Sequence, residues 1–144
     1  MQLPSMRYDP GFVQPMREEL TRLGFLELKT PDQVDASVRE GNGTLLLVVN
    51  SVCGCAAGRA RPGVALALQH DRRPDHLATV FAGVELEATD RARSYFAPYP
   101  PSSPQIALFK EGRLVFMLER KDIERRPPEE IARDLVGAFD VHCA

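Results

Sequence analysis

The sequence contains no tryptophan, only 7% of its residues are aromatic, and cysteine occurs three times, as Cys53, Cys55 and Cys143. No apolar run approaches the roughly 18 residues that a membrane-crossing helix needs, and the opening Met1-Gln2-Leu3-Pro4-Ser5-Met6-Arg7 has no apolar signal core. A membrane partner is therefore not expected. A formal net charge of -2 is too small to point to nucleic acid or a membrane surface. There is no Gly-rich phosphate loop, so no nucleotide or flavin site is expected. With no secretory signal, the cytoplasm is the expected location. In such a reducing compartment two cysteines one residue apart read as catalytic or metal-binding before they read as structural.

What is present is enough for a core. A chain of 144 residues, 44% of them hydrophobic, fits one globular domain spanning 1–144. Residues 9–23 place Phe12, Val13, Met16, Leu20 and Leu23 at helical spacing, with Gly24 as a stop and Pro15 obscuring the start. Residues 25–28 suit a short strand. Thr30, Pro31 and Gln33 then open a helix as N-cap, first residue and capping box, with Val34 and Val38 inward and an end near Gly41. Residues 44–50 are apolar on both faces, as in a central strand covered by helices on each side. Beyond the cysteines a helix runs to about Gln69, bent or delayed by Pro62. A strand over 77–82, a helix over 88–96 and a proline-rich loop over 97–104 follow. Two apolar runs about Glu111-Gly112 read as a hairpin, and Pro127-Pro128 opens a last helix with Ile131, Leu135, Val136 and Phe139 on one face. Phe81, Phe109 and Phe116 read as core. Such alternation indicates an α/β sheet.

The chemistry concentrates at Cys53-Gly54-Cys55. Strand, short turn, cysteines and helix put Cys53 at or near a helix N-terminus, where unpaired N–H groups and the helix dipole favour a thiolate. A nucleophilic sulfur with a second one nearby is the equipment of thiol–disulfide exchange. Residues i and i+2 of a helix lie about 200° apart, so a Cys53–Cys55 bond must close a small ring across Gly54, which has no Cβ to restrict it. That bond would be strained and oxidising, and a mixed disulfide on Cys53 correspondingly long-lived.

Other residues have quieter readings. Cys143, one residue from the end, reads as a frayed, non-catalytic tail cysteine. A metal site at Cys-Gly-Cys would need about four ligands, and His70, His76, His142 and Cys143 lack ligand spacing, so no metal is expected. Arg59 and Arg61 lie just past the cysteines. They suit either a role in lowering the Cys53 pKa or holding a substrate carboxylate, or a solvated helix face.

The order of elements, with Ser103-Pro104 before the hairpin, resembles the thioredoxin fold, in which a cis-proline lies against the active-site cysteines. More closely, Asn50-Ser51-Val52-Cys53-Gly54-Cys55-Ala56 with Arg61-Pro62, His70-Asp71-Arg72-Arg73-Pro74-Asp75-His76, Val80-Phe81-Ala82-Gly83, Tyr99-Pro100-Pro101-Ser102-Ser103-Pro104 and Gln14-Pro15-Met16-Arg17-Glu18-Glu19-Leu20 resemble the bacilliredoxin family. The resemblance implies a thioredoxin-like α/β fold with a central mixed sheet flanked by helices on both faces. It also implies a thiol–disulfide oxidoreductase that reduces mixed disulfides between bacillithiol, or another low-molecular-weight thiol, and cytoplasmic client proteins. Cys53 then takes over the small thiol and Cys55 resolves the adduct, while Gly54, Arg59, Arg61, Ser103 and Pro104 are the candidate substrate-binding positions. Electrons come from a recycling thiol or reductase, and no bound cofactor is implied. Unlike ordinary thioredoxins, the chain has no Trp before Cys53 and no acid in the strand over 44–50. Two rival classes are a general protein disulfide oxidoreductase or isomerase and a cysteine-pair metal-binding or redox-sensing protein.

Overall fold

The computed structural model describes residues 8–39 and 42–144. The first seven residues, read above for the absence of a signal core, lie outside the described residues, as does Gly41, the expected stop of the second helix. The elements run α1 (Pro10–Thr21), β1 (Leu26–Glu27), α2 (Pro31–Arg39), β2 (Thr44–Asn50), a π-helical turn (Ala56–Ala60), α3 (Arg61–Ala67), β3 (His76–Phe81), α4 (Leu86–Ser94), β4 (Gln105–Lys110), β5 (Arg113–Leu118), α5 (Arg120–Ile123) and α6 (Pro128–His142). The sheet order is β1-β3-β2-β4-β5, with β1, β3 and β2 parallel and β4 and β5 antiparallel to their neighbours.

β2 is buried along its whole length. The two-residue period of a strand divides its side chains between two layers. Leu46 and Val48 pack with α1, α3 and α6 on one face, while Leu45, Leu47 and Val49 pack with α2 and α4 on the other. At the carboxyl ends of β2 and β3, Phe81 joins Val13 and Val84 in a smaller cluster beneath the cysteine loop. The β4–β5 hairpin turns through Glu111 and Gly112, both at positive φ (50° and 77°), the geometry a two-residue connection requires.

Three local features depart from the expected pattern. Asp9 caps α1 from the Gly11 N–H, and Pro15 lies inside the helix on its exposed side, where the carbonyl that loses a donor can face water. Phe12 is exposed rather than inward. The buried stripe of α1 is Val13, Arg17 and Leu20, with Arg17 bonded to Glu27 and Glu85 and stacked over the Phe81 ring at 5.3 Å. In α2 the Thr30 hydroxyl accepts from the Gln33 N–H, but the Gln33 amide oxygen accepts from Lys29 N–H, one residue short of a regular capping box. Phe116 is half-buried against the core rather than within it. The α5 turn, absent from the sequence reading, is held by a true capping box between Glu119 and Asp122.

Cys143 is no frayed tail. Its N–H bonds to the Phe139 carbonyl, and its side chain is buried in the core on the α1, α3 and α6 face of the sheet, where burial pushes the thiol pKa up. Helices α3 and α6 approach closely at Gly63, where a Cβ would stand 2.8 Å from Ile131 Cγ2 and 3.2 Å from the Pro128 carbonyl oxygen. Gly137, on α6, has open space around it. Gly63→Val is therefore expected to cost about 1–3 kcal/mol through overpacking. Gly137→Ala should add roughly 0.5–1 kcal/mol by removing helix-interior glycine. Urea denaturation of both variants checks this, and equal midpoints would contradict it.

Candidate active site

The site begins where β2 ends. Asn50 and Ser51 are buried, and the chain then turns through Val52 and Cys53 into a helix whose first helical residues are Gly54 and Cys55. The Cys53 carbonyl accepts from the N–H groups of Ala56 and Ala57, which makes Cys53 the residue at the helix entrance. One π-helical turn follows, with the Arg61 N–H reaching back to the Ala56 carbonyl. Regular α-helix starts only at Arg61, beside Pro62, which has no N–H to donate and whose ring crowds the preceding turn. The delayed start expected from Pro62 is thus a widened turn.

Cys53 is half-buried and free. Its sulfur accepts a hydrogen bond from the Ser51 hydroxyl at 3.1 Å. Burial is the largest influence on the thiol and opposes ionisation. The Ser51 hydroxyl, the backbone N–H groups of Ala56 and Cys55 and the positive charge of Arg120 together outweigh it, so the Cys53 pKa lies below the ordinary thiol value. The site therefore favours the thiolate, the nucleophilic form, more than an ordinary cysteine does. The sulfur lies on a cleft of about 400 Å³, lined also by Tyr8, Ser51, Gly83, Arg93, Ser103 and Arg120.

The other sequence-derived positions divide. Ser103 lines the cleft, and the Ser103–Pro104 peptide is cis. Pro104 is buried behind it. The Ala97–Pro98 peptide is also cis, where the sequence suggested only a proline-rich loop. Cys55 is half-exposed and helical, outside the cleft lining, although the Arg120 guanidinium feels the charge of both sulfurs. Gly54 is exposed at the helix start, without a positive φ while both thiols are free.

Neither Arg59 nor Arg61 lines the cleft. Arg59 donates to the Arg126 carbonyl at 2.7 Å. Arg61 is 3% exposed and turns inward, where it donates to Glu19, to Asn50 Oδ1 and to the Ser51 carbonyl. Arg61 is therefore not on a solvated face, and its bonds tie α1 and the end of β2 to the loop that carries Cys53.

Sequence reasoning missed Ser51, Arg93 and Arg120. Ser51 had a visible signal, a hydroxyl two residues before Cys53. The arginines had none, since only the packing of α4 and the β5–α5 junction against the cysteine loop brings them there. Among the described residues no group of His, Cys, Asp and Glu side chains gathers to hold a metal, and no helix is long and apolar enough to cross a membrane.

The lowered pKa fixes a sign. Between the folded and the ordinary thiol pKa the unfolded chain binds more protons, so Cys53 adds stability as pH rises through that interval. The contribution is complete above the ordinary value and is lost as pH falls through the folded one. Ser51→Ala removes a donor to the thiolate, and Arg120→Gln removes a charge. Each should move the midpoint of the pH–rate curve for Cys53 alkylation upward. A midpoint unchanged in both variants would contradict this account of the thiolate.

Comparison with known proteins agrees with the site. The profile of the family described as Disulphide isomerase matches residues 8–143. A bacilliredoxin of Koribacter versatilis is 57% identical over 136 residues, covering 94% of each chain. A bacilliredoxin of Halalkalibacterium halodurans is 54% identical over 142 residues, covering 96% of this chain and 99% of its own. Among solved structures, Fasciola hepatica thioredoxin superposes with a TM-score of 0.56 at 19% identity, covering 81% of this chain and 97% of its own. That likeness shows the fold. With a stabilised thiolate at the mouth of a thioredoxin-like sheet and more than half of its residues shared with bacilliredoxins over nearly the full chain, the protein belongs to the bacilliredoxin family of thiol–disulfide oxidoreductases.

Proposed function

We propose that the whole chain acts as one domain that reduces mixed disulfides between bacillithiol and cytoplasmic client proteins. The carrying observation is the Cys53 sulfur, whose pKa is lowered by the Ser51 hydroxyl and helix-entrance N–H groups, on the surface of a cleft of about 400 Å³. The Cys53 thiolate attacks the small-thiol sulfur of the mixed disulfide. A bond forms between those two sulfurs, the original disulfide breaks, and the client cysteine leaves as a thiolate that takes a proton from solvent. Cys55 then attacks the Cys53 sulfur and releases the small thiol. Gly54 gives the backbone the freedom to close the resulting ring. Two electrons from a recycling thiol or reductase reopen it. The Ser103–Pro104 segment at the cleft is the proposed seat of the client chain.

A second reading, direct exchange on protein disulfides, is favoured by the family description and by the oxidising character expected of a strained Cys-x-Cys ring. Activity on a scrambled protein with no small thiol present is its mark.

Intact-mass spectrometry after reaction with a bacillithiol-modified client tests the first reading, with a glutathione-modified client as control. Wild type and Cys55→Ala should acquire the bacillithiol mass, Cys53→Ala should not, and the adduct should persist in Cys55→Ala. If Cys53→Ala still releases bacillithiol from the client, the assignment is wrong.

A further inference from the structure

Arginine, and no carboxylate, surrounds Cys53. Among the described residues Arg93 and Arg120 line the cleft and no Asp or Glu does. Arg93 donates through Nη2 to the Ser102 carbonyl at 2.8 Å and through Nε to Gln105 Oε1 at 3.4 Å, both neutral acceptors, and it makes no ion pair among the described residues. Of the other buried or half-buried arginines, Arg17, Arg61 and Arg126 each meet a carboxylate, while Arg59 meets the Arg126 carbonyl, away from the cleft. Arg120 shares its Nε with Glu124 at 3.2 Å and gives Nη1 to the Ser103 carbonyl at 3.3 Å. Arg93 Nη1 and Arg120 Nη2 donate to nothing among the described residues. A guanidinium taken partly out of water without a counter-charge is costly unless an anion arrives to share its donors. Burial lowers the Arg93 pKa and outweighs the opposing charge of Asp90, which makes no ion pair with it.

We propose that Arg93 and Arg120 are a carboxylate-recognition pair that selects mixed disulfides whose low-molecular-weight half bears a carboxylate, presenting that half's sulfur to Cys53. The proposal rests on Cys53 being the attacking thiolate and adds what the cleft discriminates. The surfaces fixing the pair suit the task. The Ser102 and Ser103 carbonyls hold the two guanidinium groups on one wall, and Gly83, at φ +85°, lets Tyr8 close the opposite side, where a Cβ would come within 2.9 Å of the ring.

The test uses two small disulfides of unlike charge, 5,5′-dithiobis(2-nitrobenzoate), which carries carboxylates, and neutral 4,4′-dithiodipyridine. In each, the Cys53 thiolate forms a bond to one aryl sulfur, the aryl disulfide breaks, and an arylthiolate or thiopyridone leaves and is followed by absorbance. Rates are taken in a Cys55→Ala background at a pH above the Cys53 transition, so that changes in ionisation cancel. The readout is the ratio of the two rates within one protein, which also cancels any loss of folded material. Arg93→Gln and Arg120→Gln should each lower the ratio roughly tenfold, the worth of a hydrogen bond to a charged group. Added salt should lower the ratio in the parent but not in the double variant.

A ratio unchanged in both variants overturns the proposal while leaving the attacking thiolate intact. Failure of the parent to react with either probe defeats the thiolate reading instead, and the proposal with it. In a third arm, clients carrying glutathione or cysteamine separate the source of the carboxylate. If the arginine variants slow glutathione and cysteamine clients equally, with the aryl ratio intact, the carboxylate belongs to the client chain and the proposal is overturned.

Discussion

The Arg61 guanidinium is the interaction on which the reactive end of the molecule depends. It sits almost wholly inside the protein and joins three elements: Glu19 on α1, Asn50 at the end of β2, and the Ser51 carbonyl that begins the cysteine loop. Burying a charge is expensive, and a carboxylate partner with well-placed neutral acceptors offsets that cost where the geometry is exact. Asn50 extends the network, accepting from the Ser51 N–H and donating to the Met16 carbonyl. The loop before Cys53 therefore has little freedom, and the Ser51 hydroxyl is presented to the Cys53 sulfur by backbone that α1 and α3 hold from behind.

This arrangement separates two jobs that one residue could not perform together. The arginine that follows the cysteines in sequence is spent on rigidity. The positive field at the sulfur comes from Arg120, which is remote in sequence and free to be partly hydrated, and from backbone N–H groups that cost nothing to charge. Burial opposes the thiolate and the donors favour it, and the donors prevail. β2, the strand that leads into the site, carries no acid. An acid beside the thiol would raise its pKa and compete with the arginines of the cleft.

The sheet supplies the frame. β2, buried on both faces, runs parallel to β3 and antiparallel to β4, so the carboxyl ends of β2 and β3 and the start of β4 meet at one edge. The cysteine loop, the Gly83 turn and the Ser103–Pro104 segment emerge there together. A crevice outside the carboxyl ends of parallel strands is where an open α/β sheet leaves room for a ligand. The buried ion pairs of Arg17 with Glu27 and Glu85 brace the same edge from the α1 side.

The sequence by itself determined the elements with strong local signals. The unbroken apolar run of β2, the Thr30-Pro31 opening of α2, the Glu111-Gly112 turn and the Pro128 start of α6 each carry their reason within a few residues, because strand period, caps and turn conformations are local properties. The paired cysteines at a helix entrance were legible for the same reason. Tertiary structure alone decided which polar residues are buried and which of them meet. Arg17 replaces Phe12 on the inward face of α1, Arg61 points inward to Glu19, Asn50 and the Ser51 carbonyl, and Cys143 is buried in the core. Arg93 and Arg120 arrive at Cys53 from other elements. A charge inside a protein is tolerated only where partners from several segments converge on it, and that convergence is a property of the packed chain.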